Sequence, residues 1–235
     1  MNEGVVHQLF SAQSQIDAGN YEAALQMCQA IVDANASCLL ARRIMAALAV
    51  ESGELDKAIE AFRVCSLIDP EDEVAHVGLA MCADALDDHD TASAELRRAL
   101  ELAPTDRWIA EEVERRGDQV HRTPLMEARE ALIAENPVRA MMSLGEHTDR
   151  SDLAVELTRA QALWQLGRYD AVWDLCWTIS RQHPTCVGAL IMLKAAGTAV
   201  DKPLFARMAA RMLEQITPGL DAYSLRINAP GLQVS

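Results

Sequence analysis

The sequence predicts an all-α fold, built as an α-solenoid of about five to six helix-turn-helix repeats that together form a superhelix. Apolar residues recur at helical spacing through most of the chain, in short segments separated by Gly, Asp or Pro. Similar segments return after 34 residues at several places. Alternating apolar and polar runs of strand length are absent from the sequence, and aromatic residues make up only 4% of it.

The clearest hairpin runs from Leu39 to Asp72. In its first half, small and apolar residues recur at helical spacing as far as Glu51, and Gly53 supplies the left-handed backbone that ends a helix. Its second half carries one apolar stripe with a helical period, formed by Leu55, Ala58, Ile59, Phe62 and Cys65. Pro70 then ends the second helix, because proline cannot continue it. Two short helices cannot bury such stripes alone, so the pattern predicts neighbouring hairpins of the same kind.

The same pattern recurs elsewhere in the chain. A distance of 34 residues separates three pairs of turn residues, namely Gly19 and Gly53, Pro70 and Pro104, and Pro184 and Pro218. A small residue stands seven positions before four of the turns, as Ala12, Ala46, Ala80 and Ala160. A unit of this length, with a small residue in helix A, a Gly-Asp-Tyr-like turn and a closing proline, resembles the tetratricopeptide repeat (TPR) family.

The repeats predict two blocks. Residues 1–106 form an acidic N-terminal block of three TPR repeats, with 19 Asp/Glu against 6 Lys/Arg and therefore a net charge of −13. After Pro104 the register is expected to break, so residues 107–120 are predicted to form a connecting or capping helix between the blocks. Residues 121–220 are predicted to form a C-terminal TPR-like block, and residues 221–235 a tail.

The charge distribution narrows the class of partner. Nearly all of the net charge of −14 lies in the first block, because residues 107–235 carry 16 Asp/Glu and 15 Lys/Arg. A negative surface repels phosphate and attracts cations, which disfavours nucleic acid and favours a basic segment. The acidity could equally serve solubility alone. The N-terminus does not resemble a signal peptide and no apolar run is long enough to cross a bilayer, so we expect a cytoplasmic protein without a membrane span.

The sequence shows no catalytic or cofactor-binding motif. It contains no phosphate loop, nucleophile elbow, dinucleotide turn or H-E-x-x-H, and its six histidines are dispersed. Six cysteines without C-x-x-C spacing are expected to be reduced, packed thiols: Cys28, Cys38, Cys65, Cys82, Cys176 and Cys186. The acidic turn around Asp88 is interpreted as a helix cap rather than a metal site, and Asn20 is expected to cap the second helix of the first repeat. We therefore expect a non-enzymatic protein without a cofactor.

The resemblance implies that helix A side chains line a concave groove that holds another protein or peptide segment. Carrying that groove over repeat by repeat gives the candidate partner-binding residues Val6, Leu9, Gln13, Arg43, Ala47, Val50, Val74, Val77, Met81, Asp84, Leu157, Gln161 and Trp164. Further residues in the same phase are Ile16, Leu40, Leu125, Arg129 and Leu132. An apolar groove with an acidic rim suits a basic or amphipathic segment. Binding of a terminal carboxylate is disfavoured, because Arg43 alone matches the cationic clamp of some family members.

Two alternatives remain open at this stage. The leading interpretation is a scaffold or adaptor that binds a partner polypeptide, and the alternative is a self-assembling TPR protein that forms homo-oligomers. Several of the apolar groove residues could instead pack between helices, because an error of one residue in the register turns a side chain by more than a quarter of a helical turn.

Overall fold

The structure is a computed structural model that describes residues 3–117, 122–145 and 152–219. Within these residues every regular element is an α-helix, which confirms the all-α prediction. The helices are α1 (Glu3–Asp17), α2 (Tyr21–Ala34), α3 (Leu39–Glu51), α4 (Leu55–Ile68), α5 (Glu73–Ala85), α6 (His89–Leu102), α7 (Arg107–Arg115), α8 (Pro124–Ile133), α9 (Pro137–Gly145), α10 (Leu153–Gln165), α11 (Tyr169–Gln182), α12 (Val187–Ala199) and α13 (Pro203–Ile216). The predicted tail at 221–235 lies outside the described residues.

The helices follow one another as hairpins whose turns share a backbone conformation. Gly19, Gly53 and Gly167 have φ values of 77°, 73° and 71°, so each supplies the left-handed residue that the sequence predicts. Where the glycine is missing, Asp87 and Asp201 adopt the same region with φ values of 60° and 55°. Aspartate tolerates this conformation better than most residues do, which explains how these two turns keep the hairpin geometry.

The repeat register extends further than the sequence suggested. α3, α5 and α7 begin at Leu39, Glu73 and Arg107, so the 34-residue step continues into α7. α7 has only nine residues. Whether α7 connects the predicted blocks or caps the first one stays a prediction.

The described residues divide into two compact units. Of the described residues, the first unit comprises 3–95 and 213–219, and the second comprises those between 96 and 212. In the first unit, α1, α2 and α3 share a core of buried Leu, Ile, Val, Ala and Cys side chains. The last turn of α13 belongs to this unit, where the Asn35 amide nitrogen lies 2.6 Å from the Gln215 carbonyl oxygen and donates a hydrogen bond to it.

The second unit contains a cluster of three aromatic side chains. Trp173 and Trp177 lie four residues apart on α11, and their ring centroids are 5.9 Å apart. The ring of Phe205 on α13 meets both edge-on, with centroid distances of 5.5 Å and 5.2 Å. The Lys202 ammonium lies 4.3 Å from the centroid of the Trp173 ring, a cation–π contact. These contacts join α11 to α13.

Candidate functional site

The predicted groove residues of the first unit lie on α1, α3 and α5, the first helix of each repeat. Their side chains recur with the repeat, since Val6 and Val74 are two periods apart and Gln13 and Met81 are as well. All four are partly exposed, and so is Val50 on α3. Arg43 and Asp84 are partly exposed as well, so seven predicted side chains are accessible in this unit.

Four predicted groove residues lie in the core instead. Leu9, Ala47, Val77 and Leu157 are buried, and Leu9 belongs to the core shared by α1, α2 and α3. Residues of the same phase that are also buried are Ile16, Leu40, Leu125 and Leu132. The first helix of a solenoid repeat packs against its own second helix and against the next repeat, so many of its positions face neighbouring helices. A partner could not reach these side chains without unpacking the core.

Arg43, the predicted cationic groove residue, is engaged within the chain. Its Nη2 and Nε atoms lie 2.7 Å and 2.9 Å from the two carboxylate oxygens of Asp72, a bidentate ion pair. The Asp72 carboxylate is fully buried and also caps α5 by accepting a hydrogen bond from the Ala75 backbone nitrogen at 3.0 Å. Arg43 therefore joins α3 to the start of α5, and its guanidinium is already paired.

Acidic groups outnumber basic ones around this ion pair. Asp69 is buried at the end of α4, and burial raises the pKa of its carboxyl to about 7. A hydrogen bond from the Glu71 backbone nitrogen and the charge of Arg43 oppose this shift, whereas the charge of Asp72 adds to it. Burial likewise raises the pKa of Glu73. Three carboxyl groups thus surround one guanidinium, and the turn between α4 and α5 disfavours further negative charge.

In the second unit, the accessible predicted residues lie on α10. Gln161 is exposed, and Trp164 is partly exposed. The Trp164 ring packs on Tyr169 at the start of α11, with centroids 4.8 Å apart and planes inclined by 55°. Arg129 donates a hydrogen bond to the Leu102 carbonyl oxygen at 2.8 Å, so it holds two helices of this unit together.

The first unit also contains a pocket that the sequence did not predict. It has a volume of about 570 Å³ and lies between α2, α3 and α4. Its lining consists of Tyr21, Glu22, Leu25, Gln26, Gln29, Met45, Leu48, Ala49, Ser52, Glu54, Lys57 and Ala61. Two exposed apolar residues one helical turn apart, Tyr21 and Leu25, were the available sequence signal, with 46% and 39% of their surfaces accessible. Without the fold, they could not be told from ordinary surface residues.

Comparison with protein families decides the assignment of the repeats. Two family models, both described as tetratricopeptide repeat, match residues 11–65 and residues 49–110. Residues 11–110 of this chain therefore consist of tetratricopeptide repeats. The two matches overlap and together cover α2 to α6 and parts of α1 and α7. TPR proteins bind other proteins or peptides, and the TPR fold generally mediates protein–protein interaction.

Three solved structures of TPR domains or proteins are similar to this chain. The P58(IPK) TPR domain shares 16% identity with a TM-score of 0.43, over 97% of this chain and 63% of that one, so this chain spans less than two-thirds of it. A tetratricopeptide repeat protein from Parabacteroides merdae shares 11% identity with a TM-score of 0.42, over 90% and 79% of the two chains. The TPR2AB domain of yeast Sti1, in a pHSP90 complex, shares 15% identity with a TM-score of 0.46, over 95% and 94%. A comparison with curated protein sequences gives no match.

The cysteine side chains of this protein pack inside the fold. All six cysteines are buried thiols, and burial raises the pKa of Cys28, Cys65 and Cys176 to about 12. A protonated, buried thiol is a poor nucleophile and a poor metal ligand. In the described part of the chain, no group of three or more His, Cys, Asp or Glu side chains is arranged to hold a metal ion.

The two predicted helix caps have different outcomes. Asp88 accepts a hydrogen bond from the Thr91 backbone nitrogen at 3.2 Å, which confirms it as the cap of α6. Asn20 does not cap α2 through its side chain, because its amide nitrogen donates to the Gln15 side-chain oxygen at 2.9 Å. Among the described residues, no helix combines the length and hydrophobicity needed to cross a bilayer.

Proposed function

We propose that this protein is a non-enzymatic scaffold that binds a basic or amphipathic polypeptide segment on the accessible helix A face of its first unit. The observation that supports this proposal is the set of partly exposed side chains on α1, α3 and α5, namely Val6, Gln13, Val50, Val74 and Met81. A partner helix or extended segment could contact several of them at once.

The charge of the first unit supports a cationic partner. Residues 1–106 carry a net charge of −13, and the one cation predicted on this face, Arg43, is already paired with Asp72. Asp84, at the end of α5, is partly exposed in the same phase as Val50. Lysine or arginine side chains of a partner would gain attraction from these carboxylates, while its apolar face covers the valines.

A selection from displayed random peptides tests the proposal on the full-length chain. We expect the recovered peptides to combine Lys or Arg with Leu, Ile or Phe at helical or alternating spacing. The double substitution Val50→Asp with Val74→Asp should reduce binding of a recovered peptide at least tenfold, because it places charge in the apolar contact. The matched control is Leu67→Asp on α4, where a leucine that is 78% exposed lies outside the proposed surface.

Circular dichroism should show the same helical content for all three proteins. Recovery of acidic peptides, or equal binding by the double variant and the control, would contradict the proposed surface. Self-assembly remains the alternative, and sedimentation velocity across a wide concentration range distinguishes it. A concentration-dependent dimer that competes with the peptide would assign the same surface to a second copy.

A further inference from the structure

The part of α13 that belongs to the second unit, residues 203–212, has two sides of different chemistry. On the inner side, Ala206 and Ala209 are buried. A Cβ atom added to Gly197 on α12 would lie 3.3 Å from the Ala206 Cβ atom. α13 therefore packs closely on α12 through this side.

The outer side of α13 combines apolar and cationic side chains. Leu204 and Met208 stand one helical turn apart, with 72% and 43% of their surfaces accessible. Arg207 and Arg211 have the same spacing and are exposed. With 3.6 residues in each turn, these four side chains fall within about 100° of the helix circumference, opposite the buried alanines. We call this surface the outer α13 face.

The two arginines of this face are not engaged by the described part of the chain. Neither Arg207 nor Arg211 makes an ion pair or a side-chain hydrogen bond with it. Residues 202–212 contain three cations and no acidic residue, although the whole chain has a net charge of −14. The third cation, Lys202, already lies over the Trp173 ring. The outer α13 face is thus a local positive surface on an acidic protein.

Arginines that alternate with exposed apolar side chains match an acidic amphipathic helix. A guanidinium can bind a carboxylate through two parallel hydrogen bonds. Arg207 and Arg211 lie about 6 Å apart along the helix axis, which is also the separation of two acidic residues one turn apart on a partner helix. Apolar residues beside those acids would cover Leu204 and Met208, and methionine adapts readily to the shape of a partner.

A membrane surface suits this face less well than a protein does. Segments that bind anionic lipid carry clusters of about four to eight Lys or Arg residues, whereas the outer α13 face has two. Anionic head groups would also repel a chain with a net charge of −14 over a wide area. A single acidic helix is repelled less, because salt screens charges that lie more than about 8 Å from it.

We propose that the outer α13 face binds an acidic amphipathic helix of a partner protein. The partner's carboxylates pair with Arg207 and Arg211, and its apolar side chains pack on Leu204 and Met208. This partner has the opposite charge to the one proposed for the first unit. The two proposals depend on different residues, so either can fail without the other.

Selection from displayed random peptides with a counter-selection tests this surface on the full-length chain. Peptides bound by the unchanged protein are kept only if they fail to bind the variant Arg207→Glu with Arg211→Glu. We expect the retained peptides to combine Glu or Asp with Leu, Ile or Phe at helical spacing. Charge reversal should weaken binding of such a peptide at least tenfold, because it sets like charges against each other. Leu204→Ser with Met208→Ser should also weaken it, through loss of the apolar contact.

The matched control is Arg139→Glu with Arg168→Glu, which changes the net charge equally at two exposed positions outside α13. It should alter binding by less than about twofold, because salt screens distant charges. Circular dichroism should show unchanged helical content in every variant.

Recovery of basic peptides alone, or of none that depend on α13, would overturn the proposal. An equal loss of binding in the control would overturn it as well, because net charge rather than this face would then be responsible. Vesicles of phosphatidylcholine and phosphatidylserine give a further check, since binding to them that charge reversal abolishes would assign the face to a membrane. A concentration-dependent dimer that charge reversal dissociates in sedimentation velocity would instead make a second copy the occupant.

Discussion

Phe62 occupies space that exists only because residue 78 has no side chain. A Cβ atom added to Gly78 would lie 2.3 Å from the Phe62 ring atom Cζ, well inside the contact limit, and Phe62 is fully buried. One repeat earlier, the corresponding positions hold Cys28 and Ile44, which belong to one core cluster. Between α2 and α3, the small residue is Cys28 and the large one is Ile44. Between α4 and α5 the sizes are reversed, with the large Phe62 against Gly78, so that each pair fills its space.

We predict that Gly78→Ala destabilises the protein although alanine favours helices. Overpacking a core costs about 1–3 kcal/mol, which exceeds the gain of about 1 kcal/mol from replacing glycine inside a helix. The matched control is Gly4→Ala on α1, where an added Cβ meets no atom within 4 Å. Urea unfolding should give a lower free energy of unfolding for the first variant and an equal or higher one for the control.

A double-substitution cycle then checks the size exchange itself. Phe62→Cys and Gly78→Ile should each destabilise, by leaving a cavity and by overpacking respectively. Together they recreate the Cys28 and Ile44 pair, so their combined effect should be smaller than the sum by at least about 0.5 kcal/mol. Simple additivity would show that the two positions do not share one space.

At the scale of helices, the sequence could predict most elements because their ends are determined locally. Gly53 and Pro70 terminate α3 and α4 through backbone conformation alone, and the predicted hairpin agrees with the observed helices. The faces of the helices were harder to predict. Leu9 and Val77 carry the same apolar signal as Val6 and Val74, yet only packing against neighbouring helices decides which pair is buried.

The pairing of polar side chains between helices could not be predicted from the sequence either. Arg43 and Asp72 are 29 residues apart, and their pairing depends on how α3 meets the start of α5. The aspartate serves two roles, since it caps α5 and binds the guanidinium. Asp106 caps α7 in the same way, with its carboxylate 3.1 Å from the Ile109 backbone nitrogen. These two caps permit a controlled comparison.

We predict that Asp72→Asn destabilises the protein by about 2–3 kcal/mol and that Asp106→Asn changes stability by less than about 0.5 kcal/mol. Asparagine caps helices nearly as well as aspartate, so the difference isolates the loss of the ion pair. Thermal and urea unfolding measure both variants. Adding Arg43→Met to Asp72→Asn should recover part of the loss, because no half-buried guanidinium is then left without its carboxylate partner. Equal effects of the two single variants would assign Asp72 to capping alone.

At the scale of the whole molecule, charge is distributed unevenly and partly buried. The first 106 residues carry nearly all of the net charge, and Asp69, Asp72 and Glu73 share one partly enclosed region with Arg43. The net negative charge of the first 106 residues could be predicted, because charged residues can be counted in the sequence. It could not predict which carboxyl groups are buried, since Asp69 precedes a turn proline like any surface cap residue. Burial couples the stability of this protein to pH.

We predict that Asp69 makes the protein less stable as the pH rises towards 8. Its pKa is about 7 in the folded state against an ordinary value of 3.8, so the folded state holds the proton more tightly. Its stabilising contribution is complete below pH 3.8 and is lost as the pH rises through about 7, at up to about 1.4 kcal/mol per pH unit. Asp69→Asn should therefore raise the free energy of unfolding at pH 8 by about 2 kcal/mol, and by less at pH 5.

Urea unfolding of both proteins from pH 5 to pH 8 measures this difference, and Asp56→Asn on the exposed start of α4 is the control for a change in net charge. A constant difference across this range would show that the Asp69 carboxyl is ionised throughout, because the slope depends on the difference in protons bound by the folded and unfolded states.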